Sequence, residues 1–116
     1  MPHAVITGNL EPGEVFRRLG KISERSGTAV LKTGASYLEK DGRAILIEAT
    51  AVEAGRPLGF LVLVGQRDDG LVVRLHPSQD VEKTEAVKKL LALIARAIIA
   101  QNPGSSLGKT NLAEYL

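Results

Sequence analysis

Four strand-like runs, separated by turns too short to cross a sheet, occupy the middle of this chain and limit what it can fold into. Thr28 to Lys40 runs into Asp41-Gly42, whose two positions tolerate the positive φ of a tight hairpin turn. Arg43 to Glu53 runs into Ala54-Gly55-Arg56-Pro57, Leu58 to Gln66 into Asp68-Asp69-Gly70, and Leu71 to His76 ends at Pro77. A parallel partner needs a crossover of about a dozen residues or more, so consecutive runs must pair antiparallel. The centre of the chain therefore reads as a four-stranded antiparallel meander.

Two helices and a short strand flank it. Ala4 to Thr7 is a strand that ends at Gly8-Asn9. Pro12 suits the first position of a helix, and Val15, Leu19 and Ile22 give that helix an apolar stripe until Ser26-Gly27 stops it. The last helix is capped by Ser78 to Asp80, carries Glu85 and Lys89 one turn apart, and ends at Asn102-Pro103. The expected fold is α+β in the order β-α-β-β-β-β-α, a single domain over residues 1–103 packed on the long C-terminal helix. Residues 104–116 are mostly small or polar and read as a flexible tail, whose removal should leave the fold intact. Small folds that grip a C-terminal helix share this order and host lipid carriers, single-strand DNA binders and dimeric assembly factors, so the order fixes no function.

Two elements carry more apolar surface than a two-layer domain needs. In Leu58 to Val64, Phe60, Val62 and Val64 point one way while Leu61 and Leu63 point the other. The last helix has one narrow polar stripe of Glu82, Glu85, Lys89 and Arg96, with apolar residues over most of the remaining girth. Either a curved sheet wraps the helix or a second chain covers the excess. The second reading predicts a homodimer with Leu61, Leu63, Leu93 and Ile99 at its interface. The core is expected to contain Leu31, Ile45, Ile47, Leu61, Val73, Leu90, Ile94 and Ile98.

Composition removes several chemistries. The absence of Cys excludes disulfides, thiolate catalysis and Cys-ligated zinc. Two histidines, His3 and His76, are too few for a typical histidine-built metal site. The longest apolar stretch, Leu90 to Ala100, spans 11 residues against the roughly 20 of a membrane helix. No signal-peptide pattern follows Met1, so the expectation is a soluble, cytoplasmic protein without a membrane partner. One Met, three Asn and three Gln lean in the thermophilic direction.

Three local patterns suggest chemistry and have plainer explanations. Gly104 to Thr110 resembles a phosphate-binding loop but has three residues where four belong, and it follows a helix when it should precede one. No nucleotide is expected there, and no cofactor elsewhere. His76, Ser78 and Asp80 lie within five residues, which suits turn and cap chemistry better than a triad assembled from separate segments. Glu39, Glu48 and Glu53 lack a nucleophile or metal set beside them, so no enzymatic activity is expected.

The first expectation is accordingly a non-enzymatic homodimeric binding or assembly module. Single-stranded nucleic acid is the alternative partner, met by Arg17, Arg18, Lys21 and Arg25 on the first helix and by Lys32, Tyr37, Phe60 and Arg74 on the sheet. A net charge of +2 permits such a partner without requiring it. A further alternative is an apolar small-molecule carrier with a pocket between sheet and helix.

Overall fold

Turn chemistry sets the backbone path in the computed structural model, which describes residues 1–116. The central strands are β3 (Ala29–Leu38), β4 (Ala44–Glu53), β5 (Arg56–Arg67) and β6 (Gly70–Leu75), each antiparallel to the next. Ala54 and Gly55 both have positive φ, 50° and 75°, the geometry of a two-residue hairpin loop whose twist matches the strands. Arg56 thus already pairs with Glu53, and β5 starts two residues earlier than its sequence suggests. At the far end of β5, a side chain on Gly70 would overlap the carbonyl oxygen of Ile6, so only glycine lets the first strand come this close.

That first strand, β1 (His3–Thr7), does not extend the meander at its start. It pairs antiparallel with β6, at the opposite end. The helix α1 (Pro12–Arg18) is shorter than its apolar stripe implies, because Leu19 takes an extended conformation and Gly20 follows. Leu19 and Ile22 still pack on the core, but from a loop. Beyond them Ser23–Ser26 forms a strand, β2, and Gly27 (φ 61°) belongs to its hairpin with β3 instead of capping a helix. A meander expected to have four strands therefore has five.

The second helix, α2 (Glu85–Gln101), begins later than Ser78 to Asp80. Thr84 caps it by accepting a hydrogen bond from the Val87 amide at 3.2 Å. The segment expected to be a flexible tail is ordered. Ser106–Thr110 forms β7 against β1, and Leu112 is 0% exposed. Small residues such as Ser106 and Gly108 disguise this strand, whose pairing comes from the exposed edge of β1 and not from its own propensity. The seven-stranded sheet runs β2-β3-β4-β5-β6-β1-β7.

One face of this sheet holds both helices. Val15 from α1, Leu90, Leu91, Ile94 and Ile98 from α2, and alternate strand residues such as Ile47, Val62 and Val73 form one buried cluster of 25 residues. α2 packs against β1, β3, β4 and β6. Strands lie about 4.8 Å apart, so β3 to β1 covers roughly 19 Å, well beyond a helix diameter of about 10–12 Å. The sheet can touch α2 from both sides only by curling around it. Leu93 and Ile99, expected at an interface, accordingly pack partly buried against the core of their own chain. Of the expected core, Leu61 alone lies elsewhere: it is half-buried on the outer face, because Phe60 and Val62 take the inner positions of β5.

Replacing Ile94 with Ala is expected to cost about 2–5 kcal/mol in denaturant unfolding, as for any fully buried isoleucine. Leu112→Ala should fall in the same range of about 2–5 kcal/mol, where a mobile tail would give almost nothing. Ala54→Asn should stabilise the protein by roughly 0.5–1 kcal/mol, because Asn tolerates positive φ better than Ala.

Candidate functional site

The outer face of the sheet has no helix over it. Register places Tyr37, Leu46, Leu63, Arg74 and His3 in one row across five strands. Glu48 and Leu61 stand opposite one another in the next row. Leu46, Leu61, Leu63 and Val72 are half-buried, and Tyr37 is 50% exposed. A shallow cavity of about 390 Å³ lies between Tyr37, Leu38, Ala44, Leu46, Leu63 and His76.

Two charged groups flank this apolar strip. Glu48 on β4 accepts a hydrogen bond from the Tyr37 hydroxyl at 3.1 Å. Arg74 on β6 has its Nε enclosed with no hydrogen-bond partner, an arrangement that leaves a costly donor unsatisfied. The Tyr37 hydroxyl is held above the ordinary 10.0, first by its bond to Glu48, then by the negative charge of that carboxylate, then by burial.

The expected interface residues do not form one patch. Leu61 and Leu63 share the outer face, whereas Leu93 and Ile99 are on α2. The expected nucleic-acid residues are scattered as well. Phe60 is 3% exposed inside the core, where no base can stack on it. Arg17 pairs with Glu14, and Arg18 reaches the carbonyl of Gln101 and the side chain of Asn102 at the end of α2. Lys21 sits in the loop after α1, Arg25 on the edge strand β2, and Lys32 is exposed on β3. Tyr37 and Arg74 alone share the outer-face row.

Two of the three local patterns have structural roles. His76 Nδ1 accepts the Ser78 amide at 3.1 Å and lies 2.7 Å from its hydroxyl, fixing the turn that leaves β6. Ser106 to Thr110 pairs along β1, and Thr110 donates its hydroxyl to the carbonyl of His3 at 2.6 Å. No group of three or more His, Asp or Glu side chains is placed to hold a metal ion. No helix is long and apolar enough to cross a membrane.

Two further cavities lie on the helix side. One of about 230 Å³ opens between residues 19–22 and residues 33–36, with Ile47 and Ile94 as its floor. Its mouth exists because β3 bulges at Gly34 and Ala35, which have no partner on β4. The other, about 300 Å³, lies between β2 and α2 and brings Arg25, Lys89 and Arg96 together with Tyr115. The sequence holds one signal for it, the seven-residue spacing of Lys89 and Arg96 that puts both on one side of α2. Arg25 and Tyr115 arrive only by folding. No family model, curated protein or solved structure matches the chain.

Tyr37 is expected to titrate above 10.0, and Glu48→Gln to bring it down, as read from tyrosinate absorbance in a Tyr115→Phe background. The folded state binds this proton more tightly than the unfolded chain does. Its contribution to stability is therefore complete below about pH 10 and is lost as pH rises through the raised value. An unchanged titration in the Glu48→Gln variant would show that Glu48 is not the cause.

Proposed function

We propose that the protein is a non-enzymatic binding module that works as a homodimer, its two copies packed through their outer sheet faces. The observation that carries this reading is the uncovered strip of Leu46, Leu61, Leu63 and Tyr37, with both helices on the opposite face. Apolar side chains grouped on one face are the usual mark of an interface. Charge favours a second copy over an unrelated partner. In a two-fold contact each residue meets its counterpart reciprocally, so Glu48 of one copy can meet Arg74 of the other, twice. That arrangement pairs the Arg74 guanidinium with a carboxylate and seats Leu61 and Leu63 between the two ion pairs. The curl makes this face convex, which concentrates the contact on β5 and its immediate neighbours.

A second reading, the apolar carrier, draws support from the cavity above Ile47 and Ile94. At about 230 Å³ it lies below the roughly 300–1,000 Å³ of typical ligand pockets. It ranks second for that reason.

Light scattering at micromolar concentration is expected to give twice the 12.4 kDa chain mass. Leu63→Glu should give the single-chain mass, while Leu93→Glu, on the other side of the sheet, should leave the assembly intact. Glu48→Arg and Arg74→Glu should each weaken the dimer, and the double variant should restore it by exchanging the charges. A wild-type protein that scatters as one chain overturns the proposal.

A further inference from the structure

The curled sheet stops short of closing around α2, and the gap it leaves is a groove. One wall is β2, an edge strand with β3 on one side and nothing on the other. The other wall is the flank of α2 that carries Lys89, Leu93, Arg96 and Ala97. Three cavities of about 340, 300 and 330 Å³ follow this seam in series. The first two share Ser26 and Lys89, and the last two share Glu24, Leu93 and Arg96. From Glu85 to Ala100 the helix rises roughly 22 Å at about 1.5 Å per residue, the length of six or seven extended residues at about 3.3 Å each.

The open edge of β2 can be assigned by atom. Thr33 donates its amide to the carbonyl of Ile22 at 2.8 Å. Because hydrogen-bonded and non-bonded pairs alternate along an antiparallel ladder, Glu24 and Ser26 also bond to β3. The amides and carbonyls of Ser23 and Arg25 then point outward from the sheet. Such groups are a template for another strand. The cations along the groove are similarly uncommitted, since the ion pairs of this protein are Arg17–Glu14 and Arg67–Asp69. Lys89 reaches only the hydroxyl of Ser26, at 3.3 Å.

We propose that this groove takes an extended peptide from a partner protein as an eighth strand, paired through the Ser23 and Arg25 backbone and read by α2. The side-chain pattern it selects follows from the two repeats. Lys89, Leu93 and Arg96 follow one another at about 4.5–6 Å along the helix, and side chains on one face of a strand follow at about 6.7 Å. Three successive inward positions of the peptide thus meet a cation, an apolar residue and a cation. The matching peptide reads acid, any residue, apolar, any residue, acid. Glu24 and Glu114 also border the central cavity and offset part of its positive charge, which leaves three cations, Arg25, Lys89 and Arg96, against two carboxylates. The Tyr115 ring, brought here by the ordered C-terminal turn, closes one side. This inference rests on the binding-module reading but not on the dimer, because the groove and the outer face are on opposite sides of the sheet.

The probe is a fluorescein-labelled peptide, Thr-Asp-Thr-Val-Thr-Asp-Thr, with a control carrying lysine for both aspartates, measured by fluorescence polarisation. Binding of the first and at least about tenfold weaker binding of the second is expected. Lys89→Glu with Arg96→Glu should reverse that preference. Ser23→Pro removes one outward amide and leaves the β3 ladder whole, so it should abolish binding. Hydrogen exchange supplies a check that needs no variant: the Ser23 and Arg25 amides should slow on adding peptide, with those of β7 unchanged. Equal affinity for both peptides, exchange unaltered at Ser23 and Arg25, or a groove filled by a second copy of this chain overturns the proposal. Leu63→Glu separates the two ideas, since it should remove the dimer and keep the peptide.

Discussion

Everything in this fold depends on covering α2. A helix with Val87, Leu90, Leu91, Ile94 and Ile98 on one side and buried Ala86, Ala92 and Ala95 beside them cannot leave any broad side in water. A flat sheet covers one side only. The curl of the sheet, the loop carrying Leu19 and Ile22, and the docked residues Leu112, Tyr115 and Leu116 each cover a different sector of the same helix. The placement of β1 follows from the same demand. By pairing with β6 and not with β2, it extends the sheet on the side where the meander runs out, and it offers β7 an edge.

The two candidate surfaces are what this solution leaves unfinished. Curling puts Ile47, Val62 and Val73 inside and turns Leu46, Leu61, Leu63 and Val72 out, onto a face that no segment of the chain crosses. It also leaves a strip of α2 uncovered where β2 ends the sheet, and that strip is where Lys89 and Arg96 stand. One surface is closed in its backbone and open in its side chains. The other is open in both. A folded face suits the first, because every strand there already has two neighbours. An extended chain suits the second, because backbone groups at an edge are satisfied only by another backbone or by water.

Local chemistry made much of the fold legible. The hairpin around Asp41-Gly42, a longer loop in which Gly42 alone takes positive φ (74°), and the apolar alternation of Phe60, Val62 and Val64 were legible because each depends on residues next to one another. The misreadings share a different cause. Val15, Leu19 and Ile22 fit a helix and fit equally well a helix followed by a packed loop, since both put the same side chains on the core. Ser106 to Thr110 has no strand signature of its own; β1 confers one on it. Phe60 looked available for stacking because exposure cannot be read from residue type alone.

The sequence by itself determined the fold class, the antiparallel meander, and the long apolar helix after it, because turn residues and side-chain periodicity act over a few bonds. It also determined that both faces of β5 are apolar, which is a matter of alternation along one strand. Tertiary structure alone decided that α2 is wrapped by its own chain, that β1 extends the sheet beyond β6, and that Ser106–Thr110 forms a strand. It decided as well that Arg25, Lys89, Arg96 and Tyr115 meet at one groove. These are contacts between segments as far apart as β2 and the C-terminal turn. Their free energy comes from joint burial and edge pairing, and no stretch of sequence carries that term by itself.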